Sequence, residues 1–290
     1  MRTSKRYTYL ALAPSVLVFI VILVFPTLFI LNLMLRRESL TSPTTNAFIG
    51  FENFVTLATD GRFWGAAGNS LVFSAVSMAV SIPVGILLGV LLNRGLRGAG
   101  VFRIFLIIPM VITPLVVGAM FRFLFDSGGF IEWLFSLIGI DAPSFLAIPF
   151  VSLVTVALVD SWQWTPFVAI IAAAAMEGIP AEVMEAAKLD GANAWQEFWH
   201  FVLPLIRPLL ALVTLIRFMD SFREFDKIFI MTNGGPGTSS ETLPIYLWRQ
   251  AFQYLDMGYA AAMGFVMLAL ISLISSAVVR AFKASKGVSE

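Results

Sequence analysis

The segment IPAEVMEAAKLDGANAWQEFWHFVLPLIRP, residues 179 to 208, is a polar and partly acidic stretch between two long apolar stretches. The chain around it has 290 residues, of which 59% are hydrophobic and only 13% are charged. Soluble globular domains are far less hydrophobic and more highly charged, so this composition indicates a membrane protein. The segment is then an extramembrane part, and its charged residues include Glu182, Glu185, Lys188, Asp190 and Glu197.

Local signals predict two short helices within this segment. Pro180 suits the first turn of a helix, because its missing N–H would have no partner there. The residues AEVMEAAKL favour a helix, which Asp190-Gly191 ends. A second short helix is predicted from about residue 193 to 201, ahead of Leu203-Pro204. The two helices would form a compact knob outside the membrane.

Six apolar runs are long enough to cross the hydrocarbon layer as helices, which takes about 20 residues each. They predict transmembrane helices at about 10–35, 68–92, 102–125, 147–175, 202–231 and 258–282. The sequence therefore predicts an all-α membrane protein. It has a single transmembrane domain at 10–284, an N-terminal tail at 1–9 and a C-terminal tail at 285–290.

The distribution of Lys and Arg predicts the orientation of these helices. If the N-terminus is inside, the cytoplasmic segments contain Arg2, Lys5, Arg6, Arg94, Arg97, Lys188, Arg280, Lys283 and Lys286. The opposite side keeps Arg36, Arg37, Arg62 and Arg249, with Arg122 and Lys227 near its edge. Because cytoplasmic loops carry an excess of these residues, we expect both termini and the polar segment to be cytoplasmic.

The polar segment also carries a specific resemblance. Glu185-Ala186-Ala187, three further residues and then Gly191, followed by Leu203-Pro204, resemble the EAA loop of ATP-binding-cassette (ABC) importer permeases. The residues DGANAWQEFWHFVLPLIRP and the later TNGGPG, residues 232 to 237, are similar to the carbohydrate-importer branch. The likeness is to the first permease of a maltose-type or glycerol-phosphate-type pair.

This resemblance implies the type I ABC importer permease fold, with a cytoplasmic coupling helix in an EAA loop at 179–204. Ala186 and Ala187 would leave a smooth patch that an ATPase subunit can approach closely, and Glu185 would offer a charge beside it. The residues implied in coupling are Glu185, Ala186, Ala187, Asp190 and Gly191. The chain would then lie in the bacterial cytoplasmic membrane.

The resemblance also implies partners and a substrate class. The chain has no GxxxxGK[ST] motif to hold ATP phosphates, so two separate ATP-binding subunits would bind ATP and Mg²⁺, and this chain would bind no cofactor and catalyse no reaction. A second permease subunit and an extracytoplasmic substrate-binding protein would complete the importer. The substrate would be a sugar or a derivative: an oligosaccharide, a polyol, a glycerol-phosphate-like compound, or an acidic or sulfonated sugar.

Polar residues within two predicted spans are candidate substrate contacts, because ionisable groups at membrane depth are costly and usually functional. Asp160, Gln163, Trp164 and Phe167 follow one helical stripe on the fourth span, and Arg217, Ser221 and Glu224 follow another on the fifth. Counted from the EAA loop and from TNGGP, they match sugar-site positions of the maltose-type permease.

Two of these assignments have alternatives. Arg217 can contact an anionic group of the substrate, or it can pair with Asp220 or Glu224 and have a structural role. Trp162 and Trp164 can be packing or lipid-belt aromatics, although Trp164 lies on the polar stripe.

Other functional classes also agree with a polytopic membrane protein. One alternative is an autonomous secondary transporter or channel, although the chain halves show no visible repeat. Another is an intramembrane enzyme, but no HExxH or GxSxG motif is present. The chain has no cysteine, and its single histidine, His200, cannot build a multi-histidine metal site.

Overall fold

A computed structural model of the protein describes residues 5–41, 46–93 and 98–284. The first four residues, Arg94 and Arg97 of the predicted turn, and the tail at 285–290 lie outside this description. Within the chain, residues divide into two compact units. Unit 1 comprises residues 1–63 and 246–270, and unit 2 comprises residues 64–245 and 271–290.

The described residues are predominantly helical. The helices of the first half are α1 Lys5–Phe19, α2 Phe25–Leu33, α3 Glu52–Thr59, α4 Gly61–Asn93, α5 Ala99–Val111, α6 Pro114–Phe125 and α7 Phe130–Ser136. The helices of the second half are α8 Val151–Glu177, α9 Ala181–Leu189, α10 Ala194–Glu197, α11 Leu203–Phe222, α12 Asp226–Met231, α13 Leu243–Trp248 and α14 Met257–Ala284. Single π-helical turns occupy Ile20–Val24, Phe198–Val202 and Arg249–Gln253. Two short strands, β1 Arg36–Arg37 and β2 Ala47–Phe48, pair antiparallel.

Six helical segments in the described part of the chain are long and apolar enough to cross a membrane. They are Leu12–Leu33, Gly61–Asn93, Pro114–Ser136, Val151–Glu177, Ala194–Phe222 and Met257–Arg280. The predicted all-α fold with six transmembrane helices is thereby confirmed, although the boundaries differ from those read off the sequence.

Two predicted spans are interrupted in the structure. The span predicted at 102–125 breaks between α5 and α6, where Ile112 and Thr113 are extended. Proline at 114 causes this break, because a residue that precedes proline is disfavoured in the helical region. The span predicted at 202–231 is divided into α11 and α12 by three non-helical residues. One of these, Glu224, accepts the backbone N–H of Lys227 at 3.0 Å and so satisfies a free donor in the first turn of α12.

Helix α8 is the centre of unit 2. Two thirds of its most apolar 18-residue window is buried inside the protein, more than in any other described span. Its residues Leu153, Val156 and Ala157 are fully buried in a cluster with Phe73 of α4 and Ile228 of α12. A polar side chain on α8 therefore lies among neighbouring helices, where it needs partners from those helices.

Helix α4 approaches α8 closely through two glycines, Gly85 and Gly89. A methyl group on Gly85 would lie 2.5 Å from Cβ of Val168, and one on Gly89 would lie 2.8 Å from Cβ of Ala172. Their four-residue spacing is the GxxxG pattern that allows helix backbones to pack closely in a membrane.

We expect Gly85→Val to lower the free energy of unfolding by about 1–3 kcal/mol, because the added side chain forces α4 away from α8. Thermal unfolding of the purified protein in detergent would measure this change. The matched control is Gly68→Val on the same helix, where the added side chain meets no atom within 4 Å. Equal stability of the two variants would show that the close contact contributes nothing.

Candidate functional site

A network of buried charged residues is organised around Asp160, in the middle of α8. The carboxylate of Asp160 and the guanidinium of Arg217 on α11 form an ion pair with Oδ2 and Nη2 2.6 Å apart, and both side chains are 1% exposed. Ser77 of α4 donates its hydroxyl to the same carboxylate oxygen and accepts from Arg217 Nη2 at 2.8 Å. Three helices therefore meet at one carboxylate.

Lys227 of α12 is the second cation of this network. Its ammonium group lies 2.8 Å from Oδ1 of Asp160 and 2.9 Å from Oε2 of Glu224. The Lys227 side chain is completely buried, whereas that of Glu224 is 10% exposed. Asp160 therefore bridges two cations, and each carboxylate has a cation within contact distance.

Gln163 connects the network to the interrupted third span. Its amide oxygen accepts from Lys227 Nζ at 2.8 Å, and its amide nitrogen donates to the carbonyl of Ile112 at 2.8 Å. That carbonyl lies at the break between α5 and α6, outside both helices. Both the oxygen and the nitrogen of the Gln163 amide are therefore hydrogen-bonded, which stabilises the break and positions Lys227.

Arg217 keeps unused hydrogen-bonding capacity. Within the described part of the chain, its buried Nε and Nη1 atoms have no hydrogen-bond partner. The indole of Trp164 lies 5.5 Å from the guanidinium carbon and makes a cation–π contact. An unsatisfied buried donor is costly, so these N–H groups are suited to donate hydrogen bonds to a polar molecule that binds beside Trp164.

The structure divides the predicted stripe on α8 into two pairs of residues. Asp160 and Gln163 are fully buried in the network, whereas Trp164 and Phe167 are partly exposed. The rings of Trp164 and Phe167 lie edge to face with centroids 6.2 Å apart. Both rings therefore keep part of their surface exposed, and the ring of Trp164 also contacts the buried guanidinium of Arg217.

The predicted stripe on α11 is only partly assembled. Arg217 and Glu224 belong to the network, but Ser221 is buried and donates to the carbonyl of Phe218 at 3.2 Å. Ser221 is therefore part of the packing of its own helix rather than of the network. Trp162 faces away from the stripe and contacts the ring of Phe121 at 5.1 Å, which fits its interpretation as a packing aromatic.

The structural alternative for Arg217 named the wrong partners. Arg217 pairs with Asp160, whereas Asp220 pairs with Arg223 at 3.0 Å on an exposed surface and Glu224 pairs with Lys227. The reason is geometric, because Asp160 is brought to Arg217 by the packing of α8 against α11. Sequence spacing favours partners on the same helix and does not reveal such contacts.

Sequence reasoning missed Lys227 and Ser77. The distribution of basic residues places Lys227 near the extracytoplasmic edge, whereas the structure buries its side chain. Its spacing of three residues from Glu224 is typical of an ion pair and could have indicated this role. Ser77 belongs to four buried serines of α4 whose spacing places them along one helix face: Ser70, Ser74, Ser77 and Ser81. That face of an otherwise apolar span indicates a polar helix contact.

The predicted coupling segment begins with helix α9. Asp190 follows its last residue, and Gly191 has a φ of +80°, which is the left-handed conformation that glycine favours at a helix end. Glu185 and Ala186 are exposed on α9. Ala187, in contrast, is 1% exposed, so its predicted place in an exposed patch is wrong. Its small side chain faces the protein interior instead.

The second helix of this segment is longer than predicted. Asn193 and Gln196 form a reciprocal capping box at the start of α10. The helix then continues through the π-helical turn at Phe198–Val202 directly into α11, instead of ending before Leu203. Pro204 lies in the first turn of α11, where a missing N–H interrupts the regular pattern of hydrogen bonds. One continuous helical segment therefore connects the second half of this loop to Arg217.

Comparison with known proteins identifies relatives over nearly the whole chain. A probable ABC transporter permease protein, y4oQ, of Sinorhizobium fredii is 32% identical over 266 residues, covering 91% of this chain and 85% of the relative. The trehalose/maltose transport system permease protein MalF of Thermococcus litoralis is 27% identical over 278 residues, covering 95% of this chain and 92% of the relative.

A solved structure shares the fold. The crystal structure of a bacterial ABC transporter involved in the import of the acidic polysaccharide alginate contains a chain that matches with a TM-score of 0.83 and 25% identity. The match covers 96% of this chain and 95% of that one. In addition, residues 81–286 match the family described as the binding-protein-dependent transport system inner membrane component. The predicted resemblance is thereby confirmed, and this multi-pass chain belongs to that family of ABC transporter permeases.

Proposed function

We propose that this chain is the permease subunit of an importer that moves a sugar or sugar derivative into the cytoplasm. The observation that carries the sugar assignment is the aromatic pair Trp164 and Phe167 beside the unused N–H groups of Arg217. Sugars are bound by polar groups that hydrogen-bond their hydroxyls and by aromatic rings that cover their apolar faces. Sugar-transport relatives that match almost the full length support the same conclusion.

Energy for transport would come from two separate ATP-binding subunits that contact α9, while a second permease and an extracytoplasmic binding protein complete the importer. ATP binding can shift the permease between inward-facing and outward-facing states only if these contacts differ between the states. Exposed Glu185 and Ala186 on α9 are available for such contacts. The excess of Lys and Arg in the proposed cytoplasmic segments supports placing α9 and both termini in the cytoplasm.

We expect Trp164→Ala to raise the sugar concentration that gives half-maximal uptake by about tenfold, because a stacking surface is lost from the site. The measurement is ATP-dependent sugar uptake by proteoliposomes that contain the assembled importer. Trp162→Ala is the matched control, two residues away on the same helix, and uptake should stay within about twofold of the unaltered protein. Equal effects of the two substitutions would exclude Trp164 as a sugar contact.

A further inference from the structure

The buried network contains equal numbers of basic and acidic side chains. Arg217 and Lys227 are its two basic side chains, and Asp160 and Glu224 are its two acidic side chains, with ion-pair distances of 2.6 to 2.9 Å. The nearby Arg223 is likewise paired with Asp220. The network therefore offers polar groups, but its formal charge is zero.

From this balance we infer that the transported substrate is an uncharged carbohydrate rather than an acidic, sulfonated or phosphorylated one. The inference rests on the proposed sugar-permease function and narrows its substrate class. It decides between alternatives that the sequence left open, because Arg217 is a basic residue at a predicted substrate position yet has no charge to spare for an anion.

The energetics of desolvation favour this assignment. Moving an anion from water into a site of low polarity costs several kcal/mol unless a surplus positive charge compensates it. Here the positive charge of Arg217 is already neutralised by Asp160 at 2.6 Å. The most exposed ionisable group of the network is Glu224, an acidic side chain that offers no positive charge to an anion. A hydroxyl group, in contrast, can accept from the unused N–H groups of Arg217 without bringing any charge.

A pocket in unit 1 independently supports an uncharged substrate, because acidic side chains outnumber basic ones there. A pocket of about 570 Å³ is lined by three carboxylates, Glu52, Asp60 and Asp256, and by one arginine, Arg37. Even with Arg62, which lies over the ring of Tyr246 at 4.9 Å, negative charge is in excess. In the proposed orientation this pocket is extracytoplasmic, and its net negative charge would disfavour an anion within it.

The carboxylate of Asp60 is held in its ionised form. Burial raises its pKa, but hydrogen bonds from the hydroxyls of Tyr259 and Tyr246, each 2.7 Å long, and from the backbone N–H groups of Phe63 and Arg62 outweigh burial and keep the pKa below its usual value. Asp60 therefore keeps its negative charge at neutral pH.

The test compares matched neutral and anionic sugars on the complete importer with its binding protein in proteoliposomes. Suitable pairs are trehalose with trehalose 6-phosphate and maltose with maltobionate, together with an alginate disaccharide. We expect ATP-dependent uptake of a neutral sugar to exceed that of its anionic counterpart by about tenfold or more. Uptake of an anionic sugar at an equal or higher rate would overturn the inference while leaving the sugar-permease function intact. Uptake of no sugar at all would overturn the proposed function and the inference with it.

A charge-altering variant separates the permease from the selectivity of the binding protein. Glu224→Gln leaves two basic side chains against one acidic side chain, so the ratio of anionic to neutral sugar in stimulating ATP hydrolysis, measured with the same binding protein for variant and unaltered permease, should rise about threefold or more. Asp141→Asn, at an exposed position, is the matched control. An unchanged ratio in Glu224→Gln would show that the network does not set the charge preference.

Discussion

Replacing Asp160 with alanine is expected to lower the free energy of unfolding by about 3–5 kcal/mol, the largest effect on stability that we predict for a single substitution. The carboxylate of Asp160 is the counter-charge shared by Arg217 and Lys227, at 2.6 and 2.8 Å. Its removal leaves two buried cations with only Glu224 to compensate them. Thermal unfolding of the purified protein in detergent would measure the loss.

The matched control for this prediction is Asp220→Ala. Asp220 also pairs with an arginine, at 3.0 Å, but the side chains of Asp220 and Arg223 are 38% and 55% exposed. Exposed pairs contribute only about 0–1 kcal/mol, because water screens the charges and the side chains lose entropy. Similar stabilities of the two variants would contradict the central role given to Asp160.

Glu185→Lys is expected to reduce ATP-driven uptake at least about tenfold without changing the stability of the chain. Glu185 is exposed on α9, the proposed coupling helix, so a reversal of its charge should disturb the proposed contacts with the ATPase rather than the packing of this protein. Uptake and ATP hydrolysis by the reconstituted importer, together with thermal unfolding of the isolated chain, would separate the two effects.

Asp141→Lys makes the same change of charge at another exposed carboxylate, one that lies on a segment proposed to be extracytoplasmic. Normal uptake is expected for this control. If Glu185→Lys transported and hydrolysed ATP as well as Asp141→Lys, α9 would not be the coupling helix.

Hydropathy and local signals predicted the parts of this protein that depend on neighbouring residues in the sequence. The six spans follow from apolar runs, and the end of α9 follows from Asp190-Gly191, because both depend on local backbone and solvent chemistry. The stripe that contains Asp160 and Gln163 also followed from helical spacing, and the structure places both residues at the centre of the network.

Contacts between helices could not be predicted from the sequence. Asp220 and Glu224 follow Arg217 by three and seven positions in the sequence. Its partner is nevertheless Asp160, 57 residues away in the chain. Ala187 belongs to the same short motif as Glu185, but only the packing of α9 decides that one is buried and the other exposed. The burial of Lys227 likewise depends on α12 packing against α8.

The most direct test of the account is ATP-driven accumulation of radiolabelled sugar by proteoliposomes. Vesicles with the assembled importer and its binding protein should accumulate sugar only when ATP is supplied to the ATPase subunits. Vesicles that contain this chain alone should accumulate none, with or without ATP. Sugar accumulation by the chain alone, or by the importer without ATP, would contradict the claim that this protein is a permease driven by separate ATPase subunits.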